Sequence, residues 1–345
     1  MDDTIELEEY SQKINAGQTR YAPLYTALSL LQGAIHKSFR KCDRDAIRYQ
    51  KSYQWVAIFA VGFGALTILC AILEFVVSPD VHAILTWGEP VAGGLTLLLI
   101  GFGSIGKFKE KWLTARYKAE NLRLLKFRKL TDARLWCPPI DIALLAEELQ
   151  DDVRKLEAQN YEDAKAWSSQ GLHPSVCGPP CVDTCDEALH ELIEYYRPKR
   201  LHVQMAYLDR KSSADERTGS TTATIVQTIF FASFAFVLAH IFVHKATEGQ
   251  PSNADHHLLK QWLIGAAAGL PVIAAGLRTY RASREFERNA LRHRATLDSL
   301  EALERQLRET KDLAGKFRVL GFCEIVLGAD CREFMRLLCE VEWYG

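Results

Sequence analysis

The chain has no excess of charge of either sign. Its 42 Lys and Arg stand against 43 Asp and Glu over 345 residues, a formal net charge of −1. A global basic field of the kind that holds nucleic acid is absent, so no nucleic-acid partner is expected. A disulfide framework is also missing. The nine cysteines follow no such pattern, and most lie in segments expected in the cytosol, where thiols stay reduced. The opening MDDTIELEEY is acidic and lacks an apolar core, so no cleavable signal peptide is expected and insertion relies on internal segments. No Ser-His-Asp or metal-hydrolase arrangement occurs, nor a TVGYG filter, and the chain is not expected to be an enzyme.

Charge is nearly missing from four windows and dense elsewhere. A hydrocarbon core about 30 Å thick needs roughly 20 apolar helical residues. The windows are Trp55 to Val77, Ala83 to Gly106, Thr224 to Val243 and Leu258 to Leu277. Buried helices of a soluble protein are usually shorter and carry a polar stripe, which disfavours that alternative. Lys260 sits at an outer edge where its long stem can snorkel, and Pro271 is expected to kink the fourth span. Gly101, Gly265 and Gly269 read as helix-packing positions, small residues being common where membrane helices meet.

Flanking Lys and Arg set the orientation. Arg40, Lys41, Arg44, Arg48 and Lys51 precede the first span, and Lys107, Lys109, Lys111, Arg116 and Lys118 follow the second. Arg210, Lys211 and Arg217 precede the third, and Arg278, Arg281, Arg284 and Arg288 follow the fourth. The loop from Val77 to Pro90 has no Lys or Arg and the loop from His244 to Lys260 has only its two end lysines, so both short loops are expected outside. The expected fold is an all-α integral membrane protein: two parallel two-span helical hairpins with long cytoplasmic helical extensions, in the inner (cytoplasmic) membrane with both termini cytoplasmic.

The organisation reads as a first repeat over 1–136, a cytoplasmic helix with a Cys/Pro-rich linker over 137–198, and a second repeat over 199–345. A leading helix from about Pro23 to Tyr53 should pack against one of the exit helices. Those are expected from Lys107 to Trp136 and from Arg281 to Asp312, both with amphipathic stripes. Tyr117–Arg123 (YKAENLR) faintly echoes Phe286–Arg292 (FERNALR). Asp141 to Trp167 reads as one acidic helix, and Phe317 to Tyr344 is expected to fold back onto the bundle.

Several residues carry candidate chemistry. Gly101-Phe-Gly-Ser-Ile-Gly-Lys107 satisfies two phosphate-binding patterns, but it has Phe108 where magnesium needs Ser or Thr and no βαβ unit behind it. Nucleotide binding there is not expected. His173, Cys177, Cys181 and Cys185 are four soft ligands that could hold zinc, with Cys137 a fifth thiol; the alternative is a loop of free thiols. No other cofactor is implied. Glu74, Asp80 and Glu89 could form acidic rings at an outer mouth in a symmetric oligomer, favouring cations; an interfacial carboxylate reaching water is the plainer reading. Thr67, Thr96, Thr224, Gln227, Thr228 and Ser233 are intramembrane polar groups that could line a pore, and helix-to-helix hydrogen bonding explains them equally well.

Arg200-x₃-Gln204-x₂-Tyr207, followed by Lys211, Ala214 and Arg217 before a two-span hairpin, resembles the SLATT-type two-transmembrane domains. Trp112–Arg128 (WLTARYKAENLRLLKFR) and the closing Leu338–Trp343 (LCEVEW) are similar to that family and to related uncharacterised two-span domains. The resemblance implies a bacterial membrane effector, of a kind often expected to form pores and linked to nucleotide-signalled defence.

The function expected is a homo-oligomeric channel or pore, gated from the cytoplasmic side and leaning towards cations. Its partners would be the lipid bilayer, further copies of itself, the ions it passes, and an activating ligand or protein that the sequence does not specify. A non-conducting membrane scaffold or sensor, recruiting a soluble partner through its cytoplasmic helices, is the alternative from another class.

Overall fold

A computed structural model describes residues 3–74, 76–77, 79–136, 141–170, 186–247 and 254–340. Among these residues every regular element is helical and no strand occurs. In chain order the helices are α1 (Thr4–Asn15), α2 (Ala22–Glu74), α3 (Pro79–Gly106), α4 (Phe108–Leu130), α5 (Ile142–Ala158), α6 (Tyr161–Ser169) and α7 (Asp186–Tyr196). A π-helical turn, Arg197–His202, joins α7 to α8 (Val203–Ala246), and α9 (Ala254–Arg284), α10 (Phe286–Glu309) and α11 (Leu313–Glu340) follow. Stretches of α2, α3, α8 and α9 are long and apolar enough to cross a membrane. The zinc candidates His173, Cys177, Cys181 and Cys185, together with Cys137, lie outside the described residues.

The chain divides into two compact units, each gathering segments from both sequence halves. Unit one comprises Met1–Gln50, Lys109–Ser212 and Leu291–Val341. Its core starts on α2, where Leu24, Leu28, Leu31, Ile35, Phe39 and Cys42 recur at steps of four and three and are all buried. That spacing puts one apolar stripe on one helix face. Leu122, Phe127 and Leu130 of α4, Leu192 and Tyr196 of α7, Leu300 of α10 and Phe317 and Leu320 of α11 close over it. Each fully buried side chain of this size contributes about 1.5–3 kcal/mol by leaving water.

Three helices differ from the sequence reading. The acidic helix expected over 141–167 is two helices, because Asn160 starts a second one. Its side chain accepts from the Asp163 amide at 3.2 Å while the Asp163 carboxylate accepts from the Asn160 amide at 2.7 Å, a reciprocal cap that favours a fresh start. The exit helix expected over 107–136 ends at Leu130, with a 3₁₀ turn at Ala133–Trp136. The exit helix expected over 281–312 is broken at Glu285, which has φ 46°.

Two buried ionic clusters tie unit one together, built on consecutive tyrosines. The Tyr195 hydroxyl donates to Asp3 at 2.8 Å, and the same carboxylate pairs with the Lys126 ammonium. The Tyr196 hydroxyl donates to Glu324 at 2.6 Å, where Arg200 adds two parallel hydrogen bonds of 2.8 Å each. Arg200 also lies over the Phe127 ring, 4.5 Å from its centroid. Pro198 has no N–H to continue the α-helical ladder, and the π turn around it is the local accommodation.

Glu324 and Arg200 are 2% and 3% exposed, so removing one charge strands the other in a dry site. Glu324→Gln is expected to cost about 3–5 kcal/mol, whereas an apolar double replacement, Arg200→Met with Glu324→Leu, should recover most of it. Chemical denaturation of the full chain, followed by circular dichroism, measures both.

His293 supplies a pH dependence. Its burial, and then the nearby Arg292 and Lys211 charges, lower its pKa from 6.5 to about 4. The folded ring stays neutral where the unfolded ring takes up a proton. Its contribution is therefore complete above pH 6.5 and is lost as pH falls towards about 4. The melting midpoint should drop across that window, and His293→Gln should flatten the drop.

Candidate functional site

Among the described residues unit two is drawn from Lys51–Phe108 and Ser213–Ala290, and it holds the four apolar stretches. Glycines show how these helices meet. A Cβ built on Gly93 of α3 would lie 3.6 Å from Thr67 of α2, and one on Gly88 would lie 3.4 Å from Cys70. The two helices therefore run antiparallel in contact. On α9, a Cβ at Gly265 would lie 2.7 Å from Val76, one at Gly269 3.2 Å from Leu69, and one at Gly276 3.8 Å from Val61. A second antiparallel contact thus joins α9 to the α2 segment. Ser233 of α8 donates to the Ala267 carbonyl of α9 at 2.8 Å.

These approaches run from α3 to α2, from α2 to α9 and from α9 to α8. Burial follows the same order. The apolar stretch is 22% buried in α2 and 17% in α9, against 6% in α3 and 11% in α8. All four stretches present most of their surface, the outer pair slightly more than the middle pair.

The glycines expected to pack helices behave differently from one another. Gly265 and Gly269 sit against the α2 segment, whereas a Cβ at Gly101 would meet nothing within 4 Å. Gly101 is not at a helix contact within the chain, because it lies on α3, the least covered span. The G-x-G-x-x-G pattern that contains it is continuous helix rather than a loop able to cradle phosphate.

The acidic candidates gather in part. The Thr86 hydroxyl donates to the Glu74 carboxylate at 2.7 Å, bridging α3 to the end of α2. Glu89 lies one helical turn beyond Thr86, so both stand on one face of α3. Asp80 belongs to the first turn of α3, and its side chain lies outside the described set. Thr86 was not among the sequence candidates; a hydroxyl at the first turns of a span, opposite a lone acid, was the available signal.

Thr96 and Thr228 each donate to their own helix, Thr96 to the Ala92 carbonyl at 3.0 Å and Thr228 to Thr224 at 2.9 Å. Thr96 is half-buried against Gly64, while Thr228 is exposed. The rings of His240 and His244 lie nearly parallel with centroids 6.2 Å apart. Among the described residues, no group of three or more His, Cys, Asp or Glu is placed to hold a metal ion.

The two halves share a break that the sequence reading did not anticipate. Lys107 separates α3 from α4 with φ 49°, and Glu285 separates α9 from α10 with φ 46°. Neither is glycine, so left-handed backbone here carries strain that the surroundings must hold. Aromatic contacts cross both breaks: Phe102 with Phe108 at 5.3 Å and Tyr280 with Phe286 at 6.1 Å. This equivalence places Phe108, not Tyr117, opposite Phe286. The echo between 117–123 and 286–292 is therefore out of structural register, since Tyr117 lies well inside α4 and Phe286 begins α10.

No family model, curated protein or solved structure matches the chain.

Gly265→Ala drives a methyl into the stiff, β-branched Val76 and is expected to cost about 1–3 kcal/mol. Gly101→Ala should be neutral or slightly stabilising. Thermal unfolding of the two variants in the same detergent separates them.

Proposed function

We propose that the chain is an integral membrane protein that assembles from several copies into a pore opened from the cytoplasmic side. The observation that carries this reading is the order of helix contacts. Close approaches join α3 to α2, α2 to α9 and α9 to α8, and none of the four apolar stretches is more than 22% buried. Spans drawn this close at their glycines leave no room for water among themselves, so a water path needs more than one chain.

Basic residues flank the α2–α3 and α8–α9 segments at their charged ends, while the stretch from Val77 to Pro90, which takes in the first turns of α3, has none. That asymmetry supports two hairpins inserted in the same sense, with short loops outside and the charged segments in the cytoplasm. The likeness to SLATT-type domains points the same way, towards a bacterial inner-membrane effector. Glu74, Asp80 and Glu89 near the outer ends would repeat around the axis and favour cations. The cytoplasmic segments would receive the activating ligand or protein.

A second reading, a non-conducting scaffold or sensor, draws on unit one, whose large core is what a docking platform for a soluble partner would need.

Single-channel recording of the full chain in planar bilayers under a potassium chloride gradient distinguishes the two. The pore predicts discrete steps that reverse near the potassium potential, with weaker cation preference in Glu74→Gln and Glu89→Gln. Assembled protein that stays silent across voltage and has a dry, packed axis is the scaffold.

A further inference from the structure

The two outer helices expose different chemistry. On α3 the large exposed side chains through the middle of the stretch, Val91, Leu95, Leu97, Leu98 and Phe102, are apolar, and the exposed hydroxyls of Thr86 and Ser104 lie towards its ends. On α8 the exposed positions of the same kind of stretch include Thr224, Gln227 and Thr228, one turn beyond the exposed Thr221. The hydroxyls of Thr224 and Thr228 donate back to their own helix, at 3.1 and 2.9 Å, which leaves oxygen lone pairs facing outward. Gln227 has no such local solution. Among the described residues, no hydrogen bond reaches its carboxamide, which keeps two donors and an acceptor to satisfy.

Depth sharpens the point. Ser233 lies midway along the apolar stretch 224–243, fixed there by its bond to Ala267. Gln227 is about 9 Å from it at 1.5 Å per residue, inside a half-thickness of about 15 Å. A carboxamide left bare at that depth would cost several kcal/mol in lipid.

The exposed face is also regular. Thr221, Thr224, Thr228, Phe231, Ala235 and Leu238 are all exposed and follow one another at steps of three, four, three, four and three. They belong to a broader exposed surface that also takes in Ile225, Phe230, Phe234, Phe236 and Val237, and their spacing is one that a second helix can follow side by side.

We propose that this face of α8 docks on the same face of another copy of the chain, and that its polar end, Thr224, Gln227 and Thr228, lines the water path the copies share. The lining part rests on the pore reading; the copy-to-copy contact does not. The amide is self-complementary, since a second Gln227 offers the acceptor and donors the first one lacks. Apolar contact from Phe231 to Leu238 seals the outer half of the seam, and uncharged hydroxyl oxygens line the inner half.

The test places single cysteines on α8 by Gln227→Cys and Thr228→Cys, with Thr224→Cys as a neighbour if either fails to insert. Leu97→Cys on the exposed face of α3 and the unsubstituted chain are the controls. Oxidation in native membranes by copper phenanthroline should give reducible dimers for the α8 variants beyond both controls. Ion current through the α8 variants should fall on adding a water-soluble methanethiosulfonate, and current through Leu97→Cys should not. Dimers without any current retain the contact and remove the pore reading with its lining. Current that persists with neither dimers nor block keeps the pore and overturns this inference. Equal dimer yield from Leu97→Cys also overturns it.

Discussion

A polar group inside hydrocarbon has no water to turn to, and unit two is arranged around that constraint. Its helices satisfy their own backbones, and its threonines return their hydroxyl protons to the preceding turn. Where a side chain cannot serve itself, a neighbouring helix does so: Ser233 reaches the Ala267 carbonyl and Thr86 reaches Glu74. Glycine permits the close approaches of α3 and α9 to the α2 segment. On α8 this scheme leaves open the exposed Gln227 carboxamide and the buried Nδ1 of His240, and the exposed one draws attention to what lies outside a single chain.

Unit one meets the same need with charge. Tyr195 and Tyr196, adjacent in sequence, each donate to a carboxylate already paired with a cation, and the two clusters reach into opposite ends of the chain at Asp3 and Glu324. Buried ion pairs of this kind add little net stability over apolar packing, but a mispaired alternative is costly. They specify which helices belong together. The π turn at Arg197–His202 places Arg200 at one of these clusters, so the local helix defect and the long-range pairing are parts of one arrangement.

The helical class and the four apolar stretches were legible because length and the absence of charge are properties of sequence alone. The stripe from Leu24 to Cys42 was legible for a similar reason, since its period follows from helix geometry. The breaks at Lys107 and Glu285 were not, because neither glycine nor proline marks them and aromatic contacts formed only in the fold hold them. Gly101 shows the limit of composition: three glycines in apolar helix look alike, yet only those facing the α2 segment sit at a contact. Asp3 shows another, since in MDDTIELEEY it is one acid among several until Lys126 and Tyr195 close around it.

The central claim is that one chain is an incomplete unit, its outer spans awaiting further copies. The most direct measurement is the number of chains per particle in lipid nanodiscs, read by native mass spectrometry at low protein loading. The account predicts a single closed stoichiometry greater than one that persists on dilution. A population of single chains, stable in lipid and unchanged as loading rises, would contradict it.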